Sequence, residues 1–168
     1  DYTGALLARE ASGEGVVTPI NTSQVVEETG KSVIRTKVGS SHVVAKMKEV
    51  GASFGFEANG GGIFAEMMSR DGGRTTVEVL NIFASRKGTF SEFVATLPKY
   101  YLARDKVEYE WSLKDKIINS AKETFRGVKT EDIDGLKIWL SDTSWILFRS
   151  SLNAPEFRVF AESRDKKE

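Results

Sequence analysis

Apolar positions follow two different periods along the chain, and the change between them falls near Pro98. Before Pro98, stretches with the three-to-four-residue spacing of amphipathic helices alternate with short apolar runs typical of strands. This alternation predicts a three-layer α/β domain with a mixed sheet over residues 1–97. The expected helices cover residues 2–11, 22–29, 40–50, a segment after Asp71 and a short segment after Thr89, and the expected strands cover residues 15–18, 32–36 and 53–56.

The helix that Asp71 precedes has an apolar side made by Val77, Leu80, Ile82 and Phe83. Since an amphipathic helix covers a core with its apolar side, these four side chains are expected to be buried. Asp71 itself is expected to be the helix N-cap rather than an acid catalyst.

Beyond Pro98 the two-residue alternation of strands predominates. Residues 136–140 and 144–148 are expected to form a hairpin, with a further strand at residues 157–161. Together with a strand over residues 100–111 and a helix over residues 112–125, this pattern predicts a small α+β domain with an antiparallel sheet. The predicted domain covers residues 98–168.

The composition excludes several classes of site. The 168 residues include 24 basic and 24 acidic side chains, so no overall field attracts nucleic acid or an anionic membrane. The absence of cysteine and the single histidine, His42, exclude disulfides, thiolate nucleophiles and a histidine-rich metal site. We expect a cytoplasmic protein without a nucleic-acid or membrane partner, and we identify no catalytic and no metal-binding residue in it.

One loop has the composition of a phosphate site. Arg149, Ser150, Ser151 and Asn153 lie between two predicted strands. A planar guanidinium fork together with hydroxyl, amide and backbone donors can bind several phosphate oxygens at once. The alternative is a hairpin turn in which the Ser and Asn side chains bond only their own backbone.

A second loop has the composition of a sugar site. It follows Phe56, is rich in glycine, and carries Glu57 and Asn59. A carboxylate can accept hydrogen bonds from two adjacent sugar hydroxyls, and an amide can both donate and accept. The alternative is a flexible hairpin with a solvated glutamate. Taken together, the two loops suggest recognition of a phosphosugar at both ends.

Lys37 and Gly39 lie where a predicted strand leads into a predicted helix, and the N-terminus of a helix attracts anions. Equally, Ser40 has the side chain of an ordinary N-cap, and Lys37 can be a surface lysine. His42, in the first turn of that helix, is expected at the surface rather than as a base.

In their order along the chain, these segments resemble the α-D-phosphohexomutase family, which includes phosphomannomutase, phosphoglucomutase and phosphoglucosamine mutase. The resemblance covers nearly the whole chain and corresponds to the third and fourth of that family's four domains. The segments that carry it are Arg35-Thr36-Lys37-Val38-Gly39, Phe54-Gly55-Phe56-Glu57-Ala58-Asn59-Gly60-Gly61, Arg70-Asp71-Gly72, Leu97-Pro98-Lys99-Tyr100 and Arg149 to Val159.

The resemblance implies a role for each candidate residue. Leu152 and Ala154 depart from the family's usual phosphate loop, so we expect this loop to bind phosphate more weakly or to have a different shape. The implied sugar-binding residues are Glu57, Asn59, Lys37 and Gly39, and the implied phosphate-binding residues are Arg149, Ser151, Asn153 and Ser150.

The resemblance also implies a reaction, the interconversion of hexose 1-phosphate and hexose 6-phosphate. In that family an enzyme phosphoserine transfers the phosphoryl group, with Mg2+ and a hexose 1,6-bisphosphate intermediate that also acts as activator. The serine segment and the Asp cluster that binds Mg2+ belong to the first two domains of the family, and neither occurs in this sequence. We therefore expect an isomerase segment that is inactive alone. Its expected partners are a hexose phosphate and the missing N-terminal catalytic domains.

The alternative functions belong to other classes. A non-catalytic module that binds sugar phosphates or has a regulatory role would share both loops, and the altered phosphate loop favours it. A third alternative is a structural α/β protein whose loops bind no ligand.

Overall fold

A computed structural model describes residues 1–151 and 153–167. The described residues form two compact units, Asp1–Lys99 and a second that begins at Tyr100. The first unit contains α1 (Tyr2–Glu10), β1 (Gly15–Pro19), a 3-10 helix (Gln24–Thr29), β2 (Ser32–Thr36), α2 (Ser40–Val50), β3 (Phe54–Phe56), β4 (Gly62–Phe64), α3 (Gly72–Ala84) and α4 (Phe90–Val94).

The sheet of the first unit is mixed, as predicted. Its strand order is β2-β1-β3-β4, with β1 parallel to both β2 and β3 and with β4 antiparallel to β3. The sequence pattern did not indicate β4, because its three residues directly follow a run of glycines. Since β1, β2 and β3 are parallel, their carboxyl ends lie at one edge of the sheet.

Helices cover both faces of this sheet. Val17 of β1 packs with Val43 and Met47 of α2 on one face. Phe56 of β3 points to the other face, where a Cβ atom on Gly4 of α1 would lie only 2.1 Å from its ring. Helix α1 therefore approaches β3 closely, and the predicted three-layer arrangement is confirmed.

None of the four residues predicted to be buried on α3 is buried, and Ile82 and Phe83 are only partly buried. Val77 and Leu80 have exposed fractions of 56% and 55%, whereas Thr75 and Val79 are buried. The buried stripe of α3 includes a polar residue because the hydroxyl of Thr75 accepts the backbone N–H of Gly62 at 2.9 Å. A prediction from hydrophobicity alone therefore identified the wrong side of α3 as the buried one.

One helix start differs from the prediction, and another agrees with it. The residue at the N-cap of α2 is Gly39, without a side-chain cap, rather than Ser40. Asp71 is the N-cap of α3 as predicted, and its carboxylate accepts the backbone N–H of Arg74.

The second unit has an antiparallel sheet, which confirms the predicted α+β class. The second unit contains β5 (Tyr101–Glu108), a 3-10 turn (Trp111–Leu113), α5 (Lys114–Thr124), β6 (Thr130–Glu131), β7 (Leu136–Ser141), β8 (Ser144–Ser150) and β9 (Glu156–Ser163). The strand order of its sheet is β5-β9-β8-β7-β6, and the predicted hairpin is formed by β7 and β8, with Trp139 opposite Trp145.

Candidate functional site

The carboxyl edge of the parallel strands brings the predicted sugar-binding residues to one side of the first unit. Lys37 directly follows β2, and Glu57 directly follows β3. Only β1 lies between these strands, so the two backbone positions are about 10 Å apart, two strand spacings. Ligands of open α/β sheets bind outside this edge. Lys37 is exposed there, and Gly39 follows it at the start of α2.

The loop after β3 holds Glu57 in a defined place. The hydroxyl of Thr18 donates to the carbonyl oxygen of Phe56 at 2.9 Å, and the carbonyl oxygen of Glu57 accepts the N–H of Gly60 at 3.0 Å. The carboxylate is 11% exposed and lies 3.3 Å from Nη1 of Arg70. It is therefore an ion-paired group near the surface of a packed loop, not the solvated glutamate of the alternative interpretation.

The same loop is joined to the start of α3. Besides the bond to Thr75, the carbonyl oxygen of Gly62 accepts the N–H of Asp71 at 3.0 Å. Ile63 forms an isolated antiparallel bridge with Arg70. These contacts explain why Arg70 reaches Glu57, a pairing that sequence reasoning missed. The sequence marks Arg70-Asp71-Gly72 as a helix start and as part of the family resemblance, but it predicts no role for the Arg70 side chain.

A cavity of about 690 Å³ lies beside this loop. Asn59 lines it, together with Gly61, Arg70, Thr76 and Leu80, and its wall on the α4 side is Phe90. Glu57 and Lys37 are not among its lining residues within the described chain. The structure thus brings Asn59 and Arg70 to a common concave surface. Glu57 is connected to that surface through its ion pair with Arg70, which lines the cavity.

Arg149 lies near the end of β8 and is nearly enclosed. Its side chain is 7% exposed, and Nε donates to Oδ2 of Asp134 at 2.7 Å. Asp134 precedes β7, the hairpin partner of β8, and its side chain is 20% exposed. Sequence reasoning missed this pairing because 15 residues separate the two partners.

The other residues predicted to bind phosphate form hydrogen bonds within their own unit. The hydroxyls of Ser150 and Tyr109 are 2.5 Å apart, and Oγ of Ser151 accepts the N–H of Asn153 at 3.3 Å. The second bond is the type that the hairpin-turn alternative expects. A hydroxyl that accepts a bond still has its own proton to donate. Leu152 lies outside the described residues.

Basic side chains extend from Arg149 across the sheet. Arg149 is directly opposite Arg158 of β9, and Arg158 is directly opposite Lys106 of β5. Glu156 lies beside them and accepts hydrogen bonds from Lys106 and Arg158. The bond from Lys106, followed by that from Arg158, lowers the pKa of Glu156 below its ordinary value. Two cations of this row, Lys106 and Arg158, thus contact the same carboxylate.

The described residues do not fit a resident metal ion. Nowhere in residues 1–151 and 153–167 do three or more His, Asp or Glu side chains form a group that could hold one. Within the same residues, every helix is too short or too polar to cross a bilayer.

Comparison with known proteins connects this geometry to a family. A family model described as phosphoglucomutase/phosphomannomutase, alpha/beta/alpha domain III, matches residues 1–101. A phosphoglucomutase/phosphomannomutase of Thermococcus kodakarensis is 36% identical, over 99% of this chain and 38% of the relative.

Solved structures show the same fold. A phosphoglucomutase/phosphomannomutase family protein from Burkholderia thailandensis is similar with a TM-score of 0.80 at 25% identity, over 99% of this chain and 38% of the other. An N-acetylphosphoglucosamine mutase of Aspergillus fumigatus, solved with GlcNAc-6P and magnesium, has a TM-score of 0.63 at 16% identity, over 99% of this chain and 39% of the other. The chain thus spans about two fifths of the length of these proteins.

Proposed function

Because the chain belongs to the phosphoglucomutase/phosphomannomutase family, as its motifs predicted, we propose that it is the part of a phosphosugar mutase that recognises the hexose phosphate. Its first unit binds sugar hydroxyls, and its second unit binds the phosphate that is not transferred. The observation that carries the proposal is the anchored Glu57, a carboxylate held by Arg70 at the carboxyl edge of a parallel sheet. This is the edge where α/β sheets bind ligands.

In the first unit, each proposed sugar-binding residue contributes a different contact. The Glu57 carboxylate accepts hydrogen bonds from two neighbouring hydroxyls, and Arg70 fixes its orientation. Asn59 is exposed at the tip of the same turn and both donates and accepts. Lys37 and the start of α2 at Gly39 supply positive potential along the same edge.

In the second unit, Arg149 supplies the charge of the proposed phosphate site. Ser150, Ser151 and Asn153 supply hydroxyl and amide donors around it. The protein of which this chain is a part would interconvert hexose 1-phosphate and hexose 6-phosphate, with Mg2+ and a hexose 1,6-bisphosphate. The described residues fit no metal ion, so we assign Mg2+ to no residue of this chain. We expect the chain alone to position its ligand without turning it over.

Calorimetric titration of the chain tests the proposal. Glucose 1-phosphate and mannose 1-phosphate should bind saturably and more tightly than either inorganic phosphate or glucose. Arg149→Ala should weaken binding by about 1.5–3 kcal/mol, the contribution of a charge-assisted hydrogen bond. Arg126→Ala, which removes an exposed arginine of the same unit, is the matched control. Equal affinity of the wild type and Arg149→Ala would contradict the phosphate assignment.

A second pair of variants tests the sugar-binding role of the first unit. Glu57→Gln keeps the shape of the side chain and removes its charge, so it should weaken sugar-phosphate binding while leaving the affinity for inorganic phosphate unchanged. Glu66→Gln is the control, because Glu66 is an exposed carboxylate of the same unit. If both variants bind glucose 1-phosphate like the wild type, Glu57 does not contact the sugar.

A further inference from the structure

The ion pair of Arg149 with Asp134 uses one particular nitrogen of the guanidinium. Of the three guanidinium nitrogens, Nε donates to Asp134 at 2.7 Å. A guanidinium carries five N–H donors, and four of them are on Nη1 and Nη2. Those two nitrogens form the edge that matches two oxygens of a phosphate. The bond to Asp134 therefore does not use the edge that is best suited to the ligand.

The backbone around Gly135 sets Asp134 beside Arg149. Gly135 has a φ of +91°, and a Cβ atom there would lie 2.2 Å from the carbonyl oxygen of Phe148 and 3.1 Å from Cα of Arg149. Only glycine can occupy this position without displacing β8. The start of β7 is thus pressed directly against the residue that carries the guanidinium, which places Asp134 next to Arg149.

We propose that Asp134 is the positioning residue of the phosphate site. By accepting the hydrogen bond from the Nε–H of Arg149, it holds the guanidinium so that Nη1 and Nη2 are presented to the phosphate group of the ligand. This inference rests on the proposed function, because it requires Arg149 to bind phosphate. Asp134 itself does not touch the ligand.

Asp134 brings both a negative charge and an acceptor oxygen to the site, and substitutions can separate their effects on phosphate binding. Its carboxylate repels a phosphate dianion and offsets the positive charge of Arg149, so charge alone disfavours it at this place. What Asp134 contributes is an acceptor oxygen at a fixed position. Because this oxygen already orders the Arg149 side chain, Arg149 loses less conformational entropy when the ligand binds. Asparagine keeps an acceptor oxygen and removes the charge, whereas alanine removes both.

The test is calorimetric titration of the 168-residue chain and its variants with glucose 1-phosphate. Asp134→Ala should bind about three- to tenfold more weakly than the wild type, the loss expected when a long side chain must be ordered by the ligand itself. Asp134→Asn should bind as tightly as the wild type or more tightly. Asp132→Asn removes the same charge two residues away, at an exposed position, and should bind like the wild type.

Each outcome separates the inference from the proposed function. If the wild type binds and Asp134→Ala binds equally well, the inference is overturned and the proposed function stands. Tighter binding by both Asp134 variants would also overturn it, because Asp134 would then compete with the ligand for Arg149. If the wild type does not bind glucose 1-phosphate, the proposed function fails and the inference fails with it.

A spectroscopic measurement on the wild type covers the case in which Asp134→Ala does not fold. The NMR signal of the Arg149 Nε–H should exchange slowly and keep its chemical shift when glucose 1-phosphate is added, while the Nη signals shift. A large shift of the Nε–H signal instead would mean that phosphate takes the place of Asp134, which would overturn the inference.

Discussion

The close approach of α1 to β3 makes a strong prediction about Gly4→Ala. The added Cβ would lie 2.1, 2.4 and 2.5 Å from three atoms of the Phe56 ring, which is about 1.5 Å closer than carbon atoms pack. Phe56 is fully buried and its ring stacks on Phe54 with centroids 6.0 Å apart, so it has little room to move. Overpacking of this kind costs about 1–3 kcal/mol.

Helix propensity opposes that cost. Alanine is favoured over glycine within a helix by about 1 kcal/mol, so the net expectation for Gly4→Ala is a loss of up to about 2 kcal/mol in the free energy of unfolding. Gly72→Ala is the matched control in α3. A Cβ atom there would meet nothing within 4 Å, so the propensity gain should appear without a clash.

Urea unfolding of both variants is the appropriate assay. It should be followed by far-UV circular dichroism rather than by tryptophan fluorescence, because Trp111, Trp139 and Trp145 all lie in the second unit. Gly4→Ala should lower the midpoint without changing the slope. If Gly4→Ala is as stable as Gly72→Ala, α1 does not pack on Phe56 as described, and this refutes the three-layer arrangement.

Two further predictions concern single hydrogen-bonded groups. Thr75→Val leaves the buried N–H of Gly62 without its acceptor and should cost about 1–3 kcal/mol in urea unfolding, whereas Thr75→Ser should keep most of the stability; equal stability of all three proteins would contradict this role. The lowered pKa of Glu156, caused by Lys106 and then Arg158, means that the unfolded chain takes up its proton first as the pH falls. The wild type should therefore lose more stability than Glu156→Gln between about pH 5 and pH 3, and parallel stability curves for the two proteins would refute this.

The elements that the sequence predicted well are those with local signals. Gly51 adopts a left-handed conformation where α2 was expected to end. The short helix expected after Thr89 begins with a capping box between Thr89 and Glu92. Each of these signals acts within a few residues, so no knowledge of the rest of the chain is needed to interpret them.

The contacts that complete the candidate site are long-range, and the pattern could not show them. Arg70 reaches Glu57 only because β4 returns beside β3, and Asp134 reaches Arg149 only because β7 and β8 pair in one particular register. Likewise, the exposure of Leu80 depends on which side of α3 meets β4. The residue types were visible in the sequence, but their neighbours were set by tertiary packing.

Strand β5 has a consequence for how the protein behaves in concentrated solution. It is the terminal strand of the second sheet, and Ala103 to Glu108 are exposed along it. An eight-residue strand at a sheet edge is a template on which another chain can add, which is how aggregates and fibrils begin. Arg104, Asp105 and Lys106 place charge along this edge, and an added strand would have to desolvate it. These side chains therefore protect the protein against self-association, a role separate from folding and from ligand binding.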